Sequence, residues 1–168
     1  MKKILIITLL LMSLLFVWGE GLKADLDIYA GEMEQHQGLV SDATLESLLE
    51  RVASEDTEAF YELIEFLQGD YLDSLKSYLQ AISVINPSTI EVKFLHKEFV
   101  EAYDALYTAL TSARDLDIAT LQEARNSLEA ELPEEYNTFI FGITLFTIKM
   151  NTYSALNNEL AFIVQFEK

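Results

Sequence analysis

The amino-acid sequence predicts an all-α fold: an antiparallel, up-down four-helix bundle with a kinked or split third helix, preceded by a signal peptide. Three observations carry that reading. Apolar residues return at steps of three or four along almost the whole chain beyond residue 24, the period of one helix face. Only two prolines occur, Pro87 and Pro133, and each stands where a helix can start, at the first-turn position that tolerates a missing N–H. The acidic residues are mostly Glu, 19 against 9 Asp, and Glu is the better helix former.

Two regions follow: residues 1–24 as signal peptide and 25–168 as a single helical domain. Lys2 and Lys3 supply a positive start, and Ile4 to Trp18 is apolar apart from Thr8 and Ser13. That run is 15 residues long, short of the roughly 20 that a membrane-crossing helix needs. Gly19, Glu20, Gly21, Leu22, Lys23 and Ala24 then complete the layout of a secretory leader. Cleavage is expected after Ala24, with Leu22 two places before it; Gly19 (with Val17) and Gly21 (with Gly19) are alternative sites. Membrane contact is expected only through this segment, and only if it stays uncleaved. The chain has no Cys, so a lipid-modified cysteine is excluded and the product is not a lipoprotein. The expected location is extracytoplasmic, secreted or periplasmic.

The first block of the domain runs from about Asp25 to Ala53. Leu26, Tyr29, Met33, His36 and Val40 form one stripe, and Leu45, Leu48, Leu49 and Val52 continue it. Gly38 and the Ser41-Asp42 pair divide the block into two helices, with Ser41 or Asp42 as N-cap. In the second block, Phe60, Ile64, Leu67, Tyr71, Leu75, Tyr78, Ile82 and Ile85 average about 3.6 residues per step, so one long helix is expected, bent but not ended at Gly69.

Asn86-Pro87-Ser88 is the next break. Ser88 and Glu91 have the spacing of a capping box. Val92, Leu95, Phe99, Ala102, Leu106, Ala109 and Ala113 then form a third stripe. A further start at Asp117, with Ile118, Leu121, Leu128 and Leu132 on one face, reads either as a kinked continuation or as a separate segment. The last block follows Pro133. Glu134 and Glu135 occupy its first turn, where the helix dipole favours negative charge. Phe139, Ile143, Phe146, Met150, Tyr153, Leu160 and Val164 make one stripe; Phe141, Leu145 and Ile148 make a second. This helix is therefore expected to be the most buried. Thr138 to Ile148 also has a strand-like composition, as the competing reading.

Composition narrows the function. Of 168 residues, 51% are hydrophobic, too many for a disordered chain, and the formal net charge is −17. That charge argues against nucleic acid as a partner, because phosphate binding needs Lys and Arg. Without Cys there is no disulfide, thiolate nucleophile, Cys-ligated zinc or iron–sulfur cluster.

No catalytic constellation emerges. The two histidines, His36 and His96, are preceded three residues earlier by Met33 and Lys93, so the Glu-x-x-His pattern of di-iron bundles fails at both. Each reads as a partly buried histidine, His36 on the first stripe and His96 on the flank of the third, with a ligand role beside Glu32 or Glu34 the weaker reading for His36. Met33 and His36 lie on one helix and cannot reach opposite faces of a haem iron. The acidic runs Glu55, Asp56, Glu58, Glu62, Glu65 and Glu129, Glu131, Glu134, Glu135 read as solvated helix faces. Asp25-Leu26-Asp27 and Asp115-Leu116-Asp117 do not continue into calcium loops. Neither a Gly-x-Ser-x-Gly elbow nor a phosphate-cradling glycine loop is present.

No catalytic residue, cofactor or metal ligand is therefore assigned. Aromatic residues are the compositional excess, with eight Tyr and ten Phe. Most fall on the stripes, while Tyr61, Phe66 and Tyr107 lie off them as a candidate contact patch. The expected role is non-enzymatic: an exported bundle that binds a protein partner or itself. The alternative is an extracytoplasmic binder or sensor of a cation or a small apolar ligand.

Overall fold

A computed structural model describes residues 21–36, 43–53, 57–127 and 131–166. Among these residues the fold is all helical, with seven helices and no strand. They are α1 (residues 21–34), α2 (Ala43–Ala53), α3 (Thr57–Leu67), α4 (Tyr71–Ser83), α5 (Ile90–Arg114), α6 (Ile118–Asn126) and α7 (Glu134–Phe166). None of them is long and apolar enough to cross a membrane.

The centre of the molecule is α5, with 11 buried side chains among its 25 residues. Its predicted stripe, Val92 to Ala113, is buried at every position. The other long helix, α7, lies against it in the opposite sense: Gly142 meets Ala105 and Ala109, Lys149 reaches Glu98 and Glu101, and Tyr153 packs on Phe99. Positions therefore rise along one helix as they fall along the other. Small residues permit the closest approach. A Cβ on Gly142 would lie 2.7 Å from the Ala109 Cβ and 2.9 Å from the Ala105 carbonyl oxygen.

α4 also runs back along α5, since Tyr78 meets Tyr103 across the link formed by residues 84–89. α1 runs with α5. Asp25 lies at the start of α5, and Tyr29 packs edge-on against His96 further along it. The Asp25 carboxylate accepts from the backbone N–H groups of Ser88 and Thr89, both at 2.8 Å, and from the Thr89 hydroxyl at 2.7 Å. A side chain remote in sequence thus satisfies donors that precede a helix and have no intrahelical partner. Burial alone would raise the Asp25 carboxyl; the bonds from Ser88 and Thr89 outweigh it and hold the group below the usual carboxylate range.

Several expectations need correction. The long second helix is broken: α3 ends at Leu67 and α4 begins at Tyr71. Gly69 N–H bonds the Phe66 carbonyl in a tighter turn, and the chain restarts from Asp70. The apolar stripe nevertheless faces inward on both sides of the break: none of the eight predicted stripe residues is exposed. The N-cap of α5 is Thr89 rather than Ser88; its hydroxyl accepts from the Val92 N–H at 3.4 Å. Pro87 precedes that cap, and Pro133 stands one residue before α7, accepting from the Asn137 N–H through its carbonyl.

Asp117 does cap α6, a separate helix, but α6 ends at Asn126, so Leu132 lies beyond it and is exposed. Thr138 to Ile148 is helical throughout. α7 is not the most buried helix: its first stripe packs inward while Phe141 and Ile148 of the second are exposed. The expected break at Gly38 and Ser41-Asp42, together with Val40 and Leu128, lies outside the described residues.

Candidate functional site

Three places have the physical character of a site. The first is a cavity of about 140 Å³ where α2, α3, α6 and α7 meet. Leu49 and Val52 of α2, Phe60 of α3, Leu121 of α6, and Phe139 and Ile143 of α7 contribute its apolar lining. Phe60 and Phe139 stand nearly perpendicular, ring centres 5.3 Å apart. Polar side chains from α6 are tied down at its edge. Gln122 donates to the Tyr61 hydroxyl at 2.7 Å, and Arg125 donates to the Tyr136 hydroxyl at 3.2 Å while lying over the Tyr136 ring.

The second is an aromatic cluster in the core. Tyr78, Tyr103, Phe99, Tyr153 and Phe146 form a chain of ring contacts, with centres between 4.7 and 5.8 Å apart. Burial pushes the hydroxyls of Tyr29, Tyr78, Tyr103 and Tyr153 up, far up for Tyr29 and Tyr78, so all four stay protonated. His96 is buried beside this cluster, and its Nδ1 has no hydrogen-bond partner among the described residues. Burial lowers the imidazole below its ordinary value, against a partial upward pull from the Glu32 charge. A neutral histidine packed edge-on against the Tyr29 ring reads as a packing element, and among the described residues its Nδ1 has no acceptor or donor to orient it.

The third is the outer face of α7. Asn137, Phe141, Thr144, Ile148, Asn151, Ala155 and Asn158 follow one another along it at helical spacing, and all are exposed. Between Tyr136 and Asn158 the only charged residue on the helix is Lys149. Lys149 is committed elsewhere: its Nζ lies 2.9 Å from the buried Glu98 and 2.5 Å from Glu101. The hydrogen bond that Lys149 donates to Glu101 first, then the one it donates to Glu98, raises the ammonium above its usual value. The threonines of this helix are drier than their names imply. The hydroxyls of Thr144, Thr147 and Thr152 donate to the carbonyls of Ile140, Ile143 and Ile148, the bond that a helical Thr makes one turn back. Each hydroxyl therefore already has an acceptor within the helix.

The residues singled out from sequence fall differently. Tyr61 is exposed, but Phe66 and Tyr107 pack against the core, Phe66 with its ring 5.2 Å from Tyr71. His36 is half-buried in the turn after α1. His96 is buried rather than on a flank, because α1 covers it. Among the described acidic residues, Glu58, Glu65, Glu131, Glu134 and Glu135 are exposed, and Glu62 forms a bidentate pair with Arg51 that joins α2 to α3. Glu55, Asp56 and Glu129 lie outside the described residues. Among the described residues no group of three or more His, Asp or Glu is placed to hold a metal ion. The α7 face was visible in sequence as a second apolar stripe; the cavity was not, since four separate helices build it.

No family model, no curated protein and no solved structure matches this chain.

Proposed function

We propose that this protein is an exported four-helix bundle that works by contact with protein, in the first place with a second copy of itself, and not by catalysis. In this reading the four rods are the four sequence blocks, the first built from α1 and α2 and the second from α3 and α4, with α6 appended. A leader within residues 1–24 directs export.

The outer face of α7 supports the contact reading. Phe141, Ile148, Ala155 and Phe162 stand seven residues apart on one line, the repeat that packs helix against helix. A chain of net charge −17 repels its own copy over most of its surface. Over the 22 residues from Asn137 to Asn158, α7 has no carboxylate to enforce that repulsion. Read in reverse, the line is its own complement: Phe141 comes opposite Phe162, and the larger Ile148 opposite the smaller Ala155. An isologous two-fold pairing needs that property.

Sedimentation of the wild type and of the Phe141→Glu/Ile148→Glu variant tests this. The wild type is expected to dimerise below about 100 µM, a modest affinity suited to a single helix face. The variant, altered only at exposed positions, is expected to keep its helicity and remain monomeric. A wild type that stays monomeric at that concentration, or a variant that pairs equally well, refutes self-association through α7.

A further inference from the structure

The cavity beneath α6 is a different place from the α7 outer face and does not depend on what that face does. We propose that it is a binding site for one small uncharged aromatic molecule, of the size of benzene or toluene.

Size and lining lead to this assignment. An internal cavity of about 150 Å³ walled by Leu, Ile and Phe stays dry and accepts benzene. Here the volume is about 140 Å³, and Leu49, Phe60, Leu121, Phe139 and Ile143 supply the same kinds of wall, while the cavity is partly open to solvent past the exposed Gln122, Arg125 and Thr144. Water is a poor occupant, because it needs two to four polar partners. The Gln122 amide and the Arg125 guanidinium are turned to Tyr61 and Tyr136 instead.

The walls also favour a ring over a chain. Phe60 lies edge-to-face with Phe139, and Tyr136 is tilted beside Phe60 at 6.1 Å. Such an array offers both ring edges and ring faces, the arrangement aromatic pairs prefer. Charge selects against ions. An anion meets a molecule of net charge −17 on approach, the one cation among the lining residues, Arg125, is engaged with the Tyr136 hydroxyl and ring, and an ion of either sign would lose its hydration against the apolar walls.

α6 is suited to admit a guest. It has nine residues, of which only Leu121 and Ala124 are buried, and its side chains hold it to α3 and α7 through the Gln122–Tyr61 and Arg125–Tyr136 bonds. An element with so little buried surface opens at small cost while the rest stays folded.

Toluene titrated into the full chain, followed by methyl NMR and thermal melting, tests the assignment. Saturable shifts are expected at the methyls of Leu121 and Ile143, with a rise in melting temperature. Val52→Phe places a ring in the space from the α2 side and is expected to weaken toluene binding at least tenfold. Ile118→Phe does the same from α6, so that one misfolded variant does not decide the matter. Benzoate, a similar ring carrying a negative charge, is expected to bind at least tenfold more weakly than toluene. Absence of saturable shifts in the wild type overturns the site. Undiminished toluene binding in both folded filling variants places the guest elsewhere and overturns it equally. Benzoate binding as tight as toluene overturns the selection for an uncharged ligand.

Discussion

His96 sits on α5 with the Tyr29 ring edge-on at 5.6 Å, and its Nδ1 has no partner among the described residues. Burial, opposed in part by the Glu32 charge, holds the imidazole below its ordinary value of 6.5. The unfolded chain takes up a proton as pH falls through about 6.5 while the folded chain resists it. In that window the folded state binds fewer protons, so this residue's contribution to stability is present above pH 6.5 and is lost as pH drops toward the folded value. His96→Phe is therefore expected to flatten the decline in urea-unfolding stability between about pH 6.5 and 5; an unchanged slope would show that His96 does not set it. The sequence placed this residue on a flank because Val92, Leu95 and Phe99 define a stripe that runs beside it. What buries it is α1, more than 60 residues away in sequence, and helical periodicity holds no information about which neighbour covers a flank. The same limit applies to Asp25, which read as an ordinary acidic residue near a possible helix start. Its acceptors' partners, Ser88 and Thr89, are adjacent only in the folded chain.

At the scale of elements, the stripes were legible because a helix must bury one face and the 3.6-residue period marks which face it is. Breaks within a stripe were less so. Between α3 and α4 the chain stops and restarts, yet the Phe60-to-Ile85 pattern runs through the turn with its period unchanged, so nothing in it marks the break. For α7 the two stripes were both visible, but only one could be covered, and α5 chose it. Gly142 shows how tightly. The atoms facing its hypothetical Cβ belong to the α5 backbone and to Ala109, and none can swing aside as a long side chain would. Gly142→Ala gains about 1 kcal/mol in helix propensity. It also forces overpacking that typically costs 1 to 3 kcal/mol. The variant is expected to be less stable by about 1 kcal/mol in urea denaturation; Ala109→Gly alone costs about 1 kcal/mol of helix propensity, and the double variant is expected to lose less than the sum of the two, because the two sites share one contact. A stabilised Gly142→Ala would mean that the helices separate easily at this crossing. The aromatic cluster followed from the stripes in part: Tyr78, Phe99, Phe146 and Tyr153 were all assigned inward, but Tyr103, the ring that joins Tyr78, Phe99 and Phe146, lay on no predicted stripe.

For the whole molecule, the export proposed above raises the question of where the mature chain would begin. The sequence alone favoured a cut after Ala24, on small-residue grounds. The folded domain uses residues on both sides of that bond. Leu22 is 0% exposed and belongs to the core, and the Asp25 carboxylate satisfies three donors at the start of α5. A cut after Ala24 would discard Leu22, and burying a leucine contributes roughly 2 kcal/mol. It would also place a charged amino group on Asp25, beside the carboxylate that Ser88 and Thr89 share. A cut after Gly21 would put that amino group on Leu22, which has no access to water in this fold. A cut after Gly19 removes only Lys2 and Lys3 from the charge balance and leaves α1 intact from residue 21 onward. We therefore expect the exported protein to begin at Glu20, which intact-mass measurement of the secreted or periplasmic product checks. A chain begun at Asp25 is expected to melt below one begun at Glu20. A product starting at Asp25 with undiminished stability would mean that Leu22 does not matter to this core.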